Sequence, residues 1–316
     1  MQPSVSVIIP AHNAASFITE AVNSALAQSY PHKEVVVVDD GSTDGTWQVL
    51  AGFDGRIRAL RQDNAGPAVA RNRGVQAASG DLLAFLDADD LWLPDKLRQQ
   101  VRCLAEYPDC RLVFHNWHVV QFGSGEEAAL LEQVRAADAA PLPDYRPRPL
   151  GWLYNELLLD SVFCTDAVMM RRVLFEEAGG FDESLPQGQD YDLWLRLSRL
   201  TPVVKLDAPL AVVRIRSGSI STTPRAVNYR ARIVQRTLER WGRVGPDGRV
   251  TGAAAVRAVL AQNWFEFGYG HLCRGDGRVA VDAFRRAIAL RPTRAKAWIN
   301  LLRAALKTLR GPSAVQ

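Results

Sequence analysis

Three carboxylates stand together in Asp87-Ala88-Asp89-Asp90, directly after the apolar run Leu82-Leu83-Ala84-Phe85-Leu86. Acids crowded behind a buried strand repel one another unless a cation sits among them. Oxygen ligands suit Mg²⁺ or Mn²⁺, which commonly keep water and substrate phosphate in their shell. Such acids also suit a helix start, where the dipole favours them, and Pro94 opens that reading for Asp90 or Asp95. It does not account for three acids together. Asp39-Asp40-Gly41-Ser42 is either a plain turn or a turn whose Asp40 carboxylate accepts from a base-edge N–H or a ribose hydroxyl. In Gln187-Gly188-Gln189-Asp190-Tyr191-Asp192-Leu193-Trp194-Leu195-Arg196, Asp190 opens an amphipathic stretch. It could take a proton from an incoming hydroxyl, cap the helix, or do both. The five histidines show no zinc spacing, and only His12 falls where a ligand would sit.

These residues need elements to hold them. Val5-Ser6-Val7-Ile8-Ile9-Pro10 reads as a strand, and Phe17 to Gln28 repeats apolar residues at helical spacing. Glu34 to Val38 is a second strand, apolar on both faces as in a covered parallel sheet, with a helix expected from the Gly41–Asp44 turn to Leu50. Ile57 to Leu60 gives a third strand, Gly66 to Ala78 a helix with Pro67 in its first turn, Leu82 to Leu86 a fourth strand, and Pro94 to Glu106 a helix. This order predicts a doubly wound, mostly parallel α/β sheet. Ligands of such sheets sit beyond the carboxyl ends of the strands. Pro10-Ala11-His12-Asn13, Asp39–Ser42 and the Asp87 cluster all fall at those ends. The stretch from Gly123 to Pro149 reads as a loop. Beyond Thr223 the pattern is helical, and Trp264 to Leu302 resembles one tetratricopeptide-type helix pair.

The chain has 316 residues, 47% hydrophobic and 23% charged, an ordinary globular composition. The net charge of +4 hides an asymmetry: residues 1–210 hold 18 Lys+Arg against 29 Asp+Glu, residues 211–316 hold 20 against 5. The basic part suits an anionic membrane surface, an acidic partner or nucleic acid, or is a solvated arginine-rich face. In Trp298–Arg310, Ile299, Leu302, Leu306 and Leu309 recur at helical spacing beside Arg303, Lys307 and Arg310. That stripe either lies in a membrane interface or packs on the preceding helices. Four scattered cysteines without a CxxC pair suggest reduced thiols. No apolar run is long enough to span a bilayer and no leader is recognisable, so the expected location is cytoplasmic, with peripheral contact at the inner membrane face as a possibility carried by the basic region.

Five blocks, in order, resemble the inverting family-2 glycosyltransferases of GT-A fold. They are Ser4–Asn13, Val38-Asp39-Asp40-Gly41-Ser42-Thr43-Asp44-Gly45-Thr46, Asn64–Gly74, Phe85-Leu86-Asp87-Ala88-Asp89-Asp90, and Gly179-Gly180-Phe181-Asp182 with Gln189–Arg196. The resemblance covers about residues 4–222. It implies a GT-A domain over residues 1–222, followed by a helical region over 223–316. It implies that Asp40 holds a uracil-type base, with Pro10, His12 and Arg71 around the nucleoside. Asp87 would approach the ribose or the metal shell, Asp89 would be the main ligand of Mg²⁺ or Mn²⁺ with Asp90 in support, and Asp190 would be the catalytic base. The chain departs from the pattern at Gln189, where many relatives carry Glu, and at Arg216, where many carry a histidine. Arginine cannot ligate a metal, so either the ion has fewer protein ligands or Arg216 contacts the diphosphate.

The expected activity is transfer of a sugar from a nucleotide diphosphate donor, a UDP-sugar, to a hydroxyl of a cell-envelope or lipid-linked glycan, with inversion. The expected partners are that donor and acceptor, and not nucleic acid. Two other classes compete. A nucleotidyltransferase also uses sheet-edge acids with Mg²⁺, but Pro10-Ala11-His12-Asn13-Ala14-Ala15 lacks a glycine-rich phosphate loop. A non-catalytic scaffold working through its helical tail would have no need of Asp89 and Asp190.

Overall fold

The structure, a computed structural model, describes residues 2–125, 127–128, 147–216 and 225–309. Two compact units are present: Met1–Leu153 with Val162–Ser217, and Tyr154–Ser161 with Gly218–Gln316. The boundary expected at residue 222, and most of the loop expected over 123–149, lie outside the described residues.

The first unit is built on a mixed sheet of order β3-β2-β1-β4-β8-β6-β9-β5, with β7 paired to β9. Its strands are β1 (Val5–Ala11), β2 (Lys33–Asp40), β3 (Arg58–Gln62), β4 (Leu82–Phe85), β5 (Leu91–Trp92), β6 (Leu112–Gln121), β7 (Pro147–Gly151), β8 (Met169–Arg171) and β9 (Val203–Ile215). The strands β1 to β4 are parallel, and β6 runs parallel to β9, so most paired residues are in parallel register. β8 joins the two parallel groups by antiparallel pairing to β4 and β6. β1 is buried along its whole length, as its β-branched sequence requires of a central strand covered on both faces. The helices α1 (Ile18–Leu26), α2 (Thr46–Ala51), α3 (Pro67–Ala77) and α4 (Lys96–Glu106) follow the first strands. α1 buries Ile18, Ala21, Val22 and Ala25 at helical spacing against Val5, Val7 and Ile9.

Because β2, β1 and β4 are parallel neighbours, their carboxyl ends lie side by side. The three loops singled out in the sequence therefore share one edge. Pro147–Gly151 is a strand and not loop, antiparallel to β9. Leu91–Trp92 is also a strand: after Asp90 the chain turns straight onto β9, pairing Leu91 with Val212 and Trp92 with Ala211. The acidic cluster is thus clasped between β4 and β5.

The second unit is helical: α5 (Tyr154–Leu159), α8 (Tyr229–Trp241), α9 (Ala253–Arg274), α10 (Gly277–Leu290) and α11 (Ala295–Leu309); α6 (Arg172–Glu177) and α7 (Gln189–Leu197) belong to the first unit. α9 and α10 form a helix pair that meets at Gly268, where a Cβ would come within 3.1 Å of Ala283 Cβ and Phe284. Asn228 caps α8 and Asp276 caps α10, each side chain accepting a backbone N–H. Among the described residues no helix is long and apolar enough to cross a membrane.

Candidate active site

Asp40 ends β2, and its carboxylate organises the next loop. Oδ1 accepts from the Ala65 N–H at 2.8 Å and from Gln62 Nε2 at 2.7 Å, and Oδ2 accepts from the Gly66 N–H at 2.8 Å. Three of its acceptor positions are therefore filled within the chain. Gly41 has a φ of +68°, and a Cβ there would lie 2.6 Å from the Asn64 nitrogen, so a side chain would push the loop away. Pro10 lies in β1 beside Val38, and His12 stands exposed directly after that strand, its Nδ1 2.8 Å from the Asp40 carbonyl oxygen. That contact requires the proton on Nδ1. Asn13 and Ser42 tie the ends of β1 and β2 together, Asn13 donating its N–H to Ser42 Oγ at 2.9 Å.

Gly66 precedes α3, which carries Arg71 and Asn72 on its first turns. Arg71 is buried, its Nη2 donates to Asp87, and its guanidinium lies 5.4 Å from the Phe181 ring centre. Burial works against its charge, but the carboxylates of Asp87, Asp190 and Asp166 raise its pKa further. One buried cation thus joins residues 71, 87, 166 and 190 electrostatically.

Asp87, Asp90 and Asp166 bring carboxylate oxygens within 4.8 Å of one another. Asp166 comes from a short 3₁₀ turn, Thr165–Ala167, before β8, and accepts the Asp87 N–H at 2.7 Å. Its burial, then the charge of Asp87, push its carboxyl up to about 7. Asp90 is raised well above the ordinary range by burial, then by Asp166, Asp87 and Asp89. Asp90 and Asp166 are buried, the three acids oppose one another, and a cation would relieve them; the all-oxygen donor set fits Mg²⁺ or Mn²⁺. Asp89 stands apart from this triad. Its Oδ2 accepts from Arg216 Nε at 2.6 Å. Two residues earlier, within β9, Arg214 donates its N–H to Asp90 Oδ1 at 2.7 Å, while its buried guanidinium pairs with Glu20 and Glu127. The helix-start reading of the cluster does not hold for Asp90, because α4 begins only at Lys96 with Asp95 before it.

Asp190 is half-buried in the first turn of α7, where its Oδ1 accepts the Tyr191 N–H at 2.8 Å. The capping position belongs to Gly188, in the left-handed region, so Asp190 is not the N-cap. Gln189 beside it is buried, and its Oε1 has no hydrogen-bond partner among the described residues. The rest of the motif builds the floor. Asp192 pairs with Arg196, which donates to the carbonyls of Ala178 and Gly180 across the Gly179-Gly180 turn. Asn72 binds the Phe181 backbone at both ends, accepting its N–H and donating to its oxygen, each at 2.9 Å. This places Phe181 under Arg71.

Of the residues singled out in the sequence, Arg71 meets Asp87 and Asp87 meets Asp90, Asp190 faces the same charge field, Pro10 and His12 lie one strand away, and Asp40 two. Asp166 and Arg214 were not anticipated. A single acid in Cys164-Thr165-Asp166-Ala167 carries no local signal, and only the pairing of β8 with β4 brings it to the cluster.

Comparison with known proteins bears on the family and the fold. Residues 6–178 match the sequence profile described as Glycosyl transferase family 2. The chain is 32% identical over 245 residues to a teichuronic acid biosynthesis glycosyltransferase of Bacillus subtilis, TuaG, covering 76% of this chain and 90% of that protein. It is 31% identical over 198 residues, 61% of this chain and 69% of the other, to an Escherichia coli protein named UDP-Glc:alpha-D-GlcNAc-diphosphoundecaprenol beta-1,3-glucosyltransferase, WfgD. The fold is similar to that of Staphylococcus aureus TarS residues 1–349 in complex with UDP-GlcNAc, with a TM-score of 0.64 at 20% identity, covering 99% of this chain and 93% of that one.

Proposed function

The chain belongs to glycosyl transferase family 2, and from that premise we propose that it moves a sugar from a UDP-sugar to a hydroxyl of a cell-envelope or lipid-linked glycan, inverting the anomeric configuration and depending on Mg²⁺ or Mn²⁺. The observation that carries this reading is the convergence on Arg71 of Asp87, Asp166 and Asp190, three acids from distant segments at one sheet edge. The choice of donor and acceptor draws on similarity to WfgD, whose name specifies UDP-Glc and a diphosphoundecaprenol-linked sugar. A membrane-bound acceptor makes peripheral contact with the inner membrane face part of the same proposal. Residues 1–222 would carry transfer, and residues 223–316 contact with that surface.

Each residue has a task under this reading. Asp40 shapes the 64–66 loop and keeps one acceptor position for a base-edge N–H. Pro10 and His12 flank the nucleoside. Arg71 holds Asp87 against the ribose side and balances the acids around it. Asp90, Asp87 and Asp166 would hold the divalent ion, with Asp89 available to it on release from Arg216. Such an ion, when bound, offsets negative charge on the departing diphosphate. Arg216, half-buried over the Phe17 ring, can then turn to the same phosphates. Asp190 accepts the proton of the acceptor hydroxyl as it attacks from the face opposite the leaving group.

The test is product analysis with a panel of nucleotide sugars and Mn²⁺. Release of UDP from a UDP-sugar, lost in EDTA, supports the proposal. Release of pyrophosphate would show a nucleotidyltransferase, donor binding without any product a scaffold, and activity persisting in EDTA would remove the metal.

A further inference from the structure

Helix α11 turns its small residues inward and its larger apolar residues outward. Its inward face is Ala297, Asn300, Leu301 and Ala304, packed on Ala280 and Phe284 of α10 and on Phe265 and Leu272 of α9. Those inward positions are mostly small. On the opposite side Trp298, Ile299, Leu302, Leu306 and Leu309 are 50%, 52%, 67%, 55% and 83% exposed. The expectation that this stripe packs on the preceding helices is therefore not met: packing is done by the alanine face, and the large residues are left in water. An amphipathic surface helix ordinarily does the reverse. The Trp298 indole donates Nε1 to the Pro292 carbonyl at 2.9 Å, so its polar edge is satisfied while its ring stays half exposed.

The charges beside the stripe select what could cover it. Lys296, Arg303 and Lys307 run along one flank of α11 at spacings of seven and four, which places them in one line on a helix. Lys307 also donates to the carbonyls of Leu272 and Gly275, fixing the helix in place. No Asp or Glu follows Asp282 in the sequence. A second copy of this face would bring like charges together, and an acid-free flank gives it no counter-charge. An anionic surface with an apolar interior meets both the stripe and the flank.

We propose that α11 is a membrane-interface helix, lying flat on an anionic lipid bilayer with Trp298, Ile299, Leu302, Leu306 and Leu309 inserted and Lys296 and Arg303 among the headgroups. The assignment gives a specific face to the membrane contact in the proposed function and rests on that part of it alone, not on the transfer chemistry. Vesicles free of donor and acceptor therefore test it whether or not the chain transfers sugar. Full-length protein should sediment with phosphatidylglycerol-containing vesicles, remain in the supernatant with phosphatidylcholine vesicles, and dissociate as salt rises. A Leu302→Glu/Leu306→Glu double variant should bind at least about tenfold more weakly, because two inserted side chains become anionic. Both positions are exposed, so circular dichroism should be unchanged. An Arg303→Glu variant tests the flank separately and should lose binding to anionic vesicles. The proposal is overturned if the full chain stays in solution with anionic vesicles at low salt, or if all variants bind as the parent does. It is also overturned if the stripe instead drives self-association without lipid, seen as a concentration-dependent dimer that Leu302→Glu/Leu306→Glu abolishes.

Discussion

Asp190 and Asp89 differ in what their neighbours leave free, and that difference fixes the experiments that separate them. Asp190 spends one oxygen on the Tyr191 N–H and lies in the field of Arg71. Asp190→Asn keeps the shape and removes the proton acceptor, so kcat should fall by roughly 10²–10⁴-fold. Donor affinity should hardly change, since proton transfer belongs to the transition state. A variant whose main defect is weaker nucleotide binding would remove Asp190 from the base role. Asp89 is held by Arg216, and a metal that uses Asp89 must displace that guanidinium. The pair is partly exposed, 30% and 23%, so the competition is modest. Arg216→Gln should tighten Mn²⁺ binding by about two- to fivefold, the worth of an exposed ion pair, measured by calorimetry without any substrate. Unchanged or weaker binding would place Asp89 outside the metal shell. At this scale the sequence showed the acids but not their grouping. Asp89 and Asp90 read alike along the chain, yet Asp89 goes to Arg216, just past β9, and Asp90 to the Arg214 N–H within it, and Asp166, which completes the triad with Asp87 and Asp90, lies 76 positions beyond Asp90.

Strands that bury both faces announced themselves, and strands made by their neighbours did not. β1 and β2 are rich in β-branched residues and β4 is wholly apolar, and their expected bounds agree with the observed ones to within about two residues, the usual uncertainty at element ends. β5 has two residues and β8 three, too few for any periodicity, and both exist because longer strands offer them a ladder. β7 contains Pro147 and Pro149, which argue against a strand in a sheet centre; spaced two apart, they leave their missing N–H groups on one side, as an edge position allows. The joint between α3 and β4 was equally hidden. Glu34, at the start of β2, accepts from Ser6 Oγ, Ser79 N–H, Ser79 Oγ and Gly80 N–H, fastening that joint to β1. Burial would raise its carboxyl, but these hydrogen bonds together hold it below the ordinary value of 4.5. A carboxyl lowered by folding contributes stability that is complete above its unfolded-state pKa and lost as pH falls through the folded value. Glu34→Gln should therefore cost on the order of 1 kcal/mol at neutral pH, after allowance for solvent screening of a half-exposed group. The gap to the parent in urea unfolding should close on acidification below 4.5. A gap of equal size in acid would mean that the amide fails for steric reasons and not for lack of charge.

At the scale of the whole chain, chemistry and charge are divided between the two units. Every residue assigned to nucleotide, metal or proton transfer lies in the first unit, while the strongly basic stretch from residue 211 includes all of the second except Tyr154–Ser161. The four thiols report on the units separately. Cys103, Cys110 and Cys164 belong to the first, and Cys273 to the second. Cys103 and Cys110 are buried, and burial pushes the Cys103 thiol up to about 12 and raises that of Cys110. Burial, then Asp166, raises Cys164 well above the ordinary value. Reaction with a thiol reagent needs both access and thiolate, so these three should label only when the first unit opens. Cys273 is exposed and should label at once. A ligand that binds the native first unit lowers the population of its open form by the factor 1 + [L]/Kd. UDP with Mn²⁺ at a hundredfold excess over Kd should then slow labelling of Cys103, Cys110 and Cys164 by roughly a hundredfold in mild denaturant, provided that reclosing is faster than labelling. Cys273 should keep its rate, and mass spectrometry of labelled peptides resolves the four positions. Slowing at Cys273 alone, or at none of the four, would place the nucleotide site outside the sheet edge assigned to it.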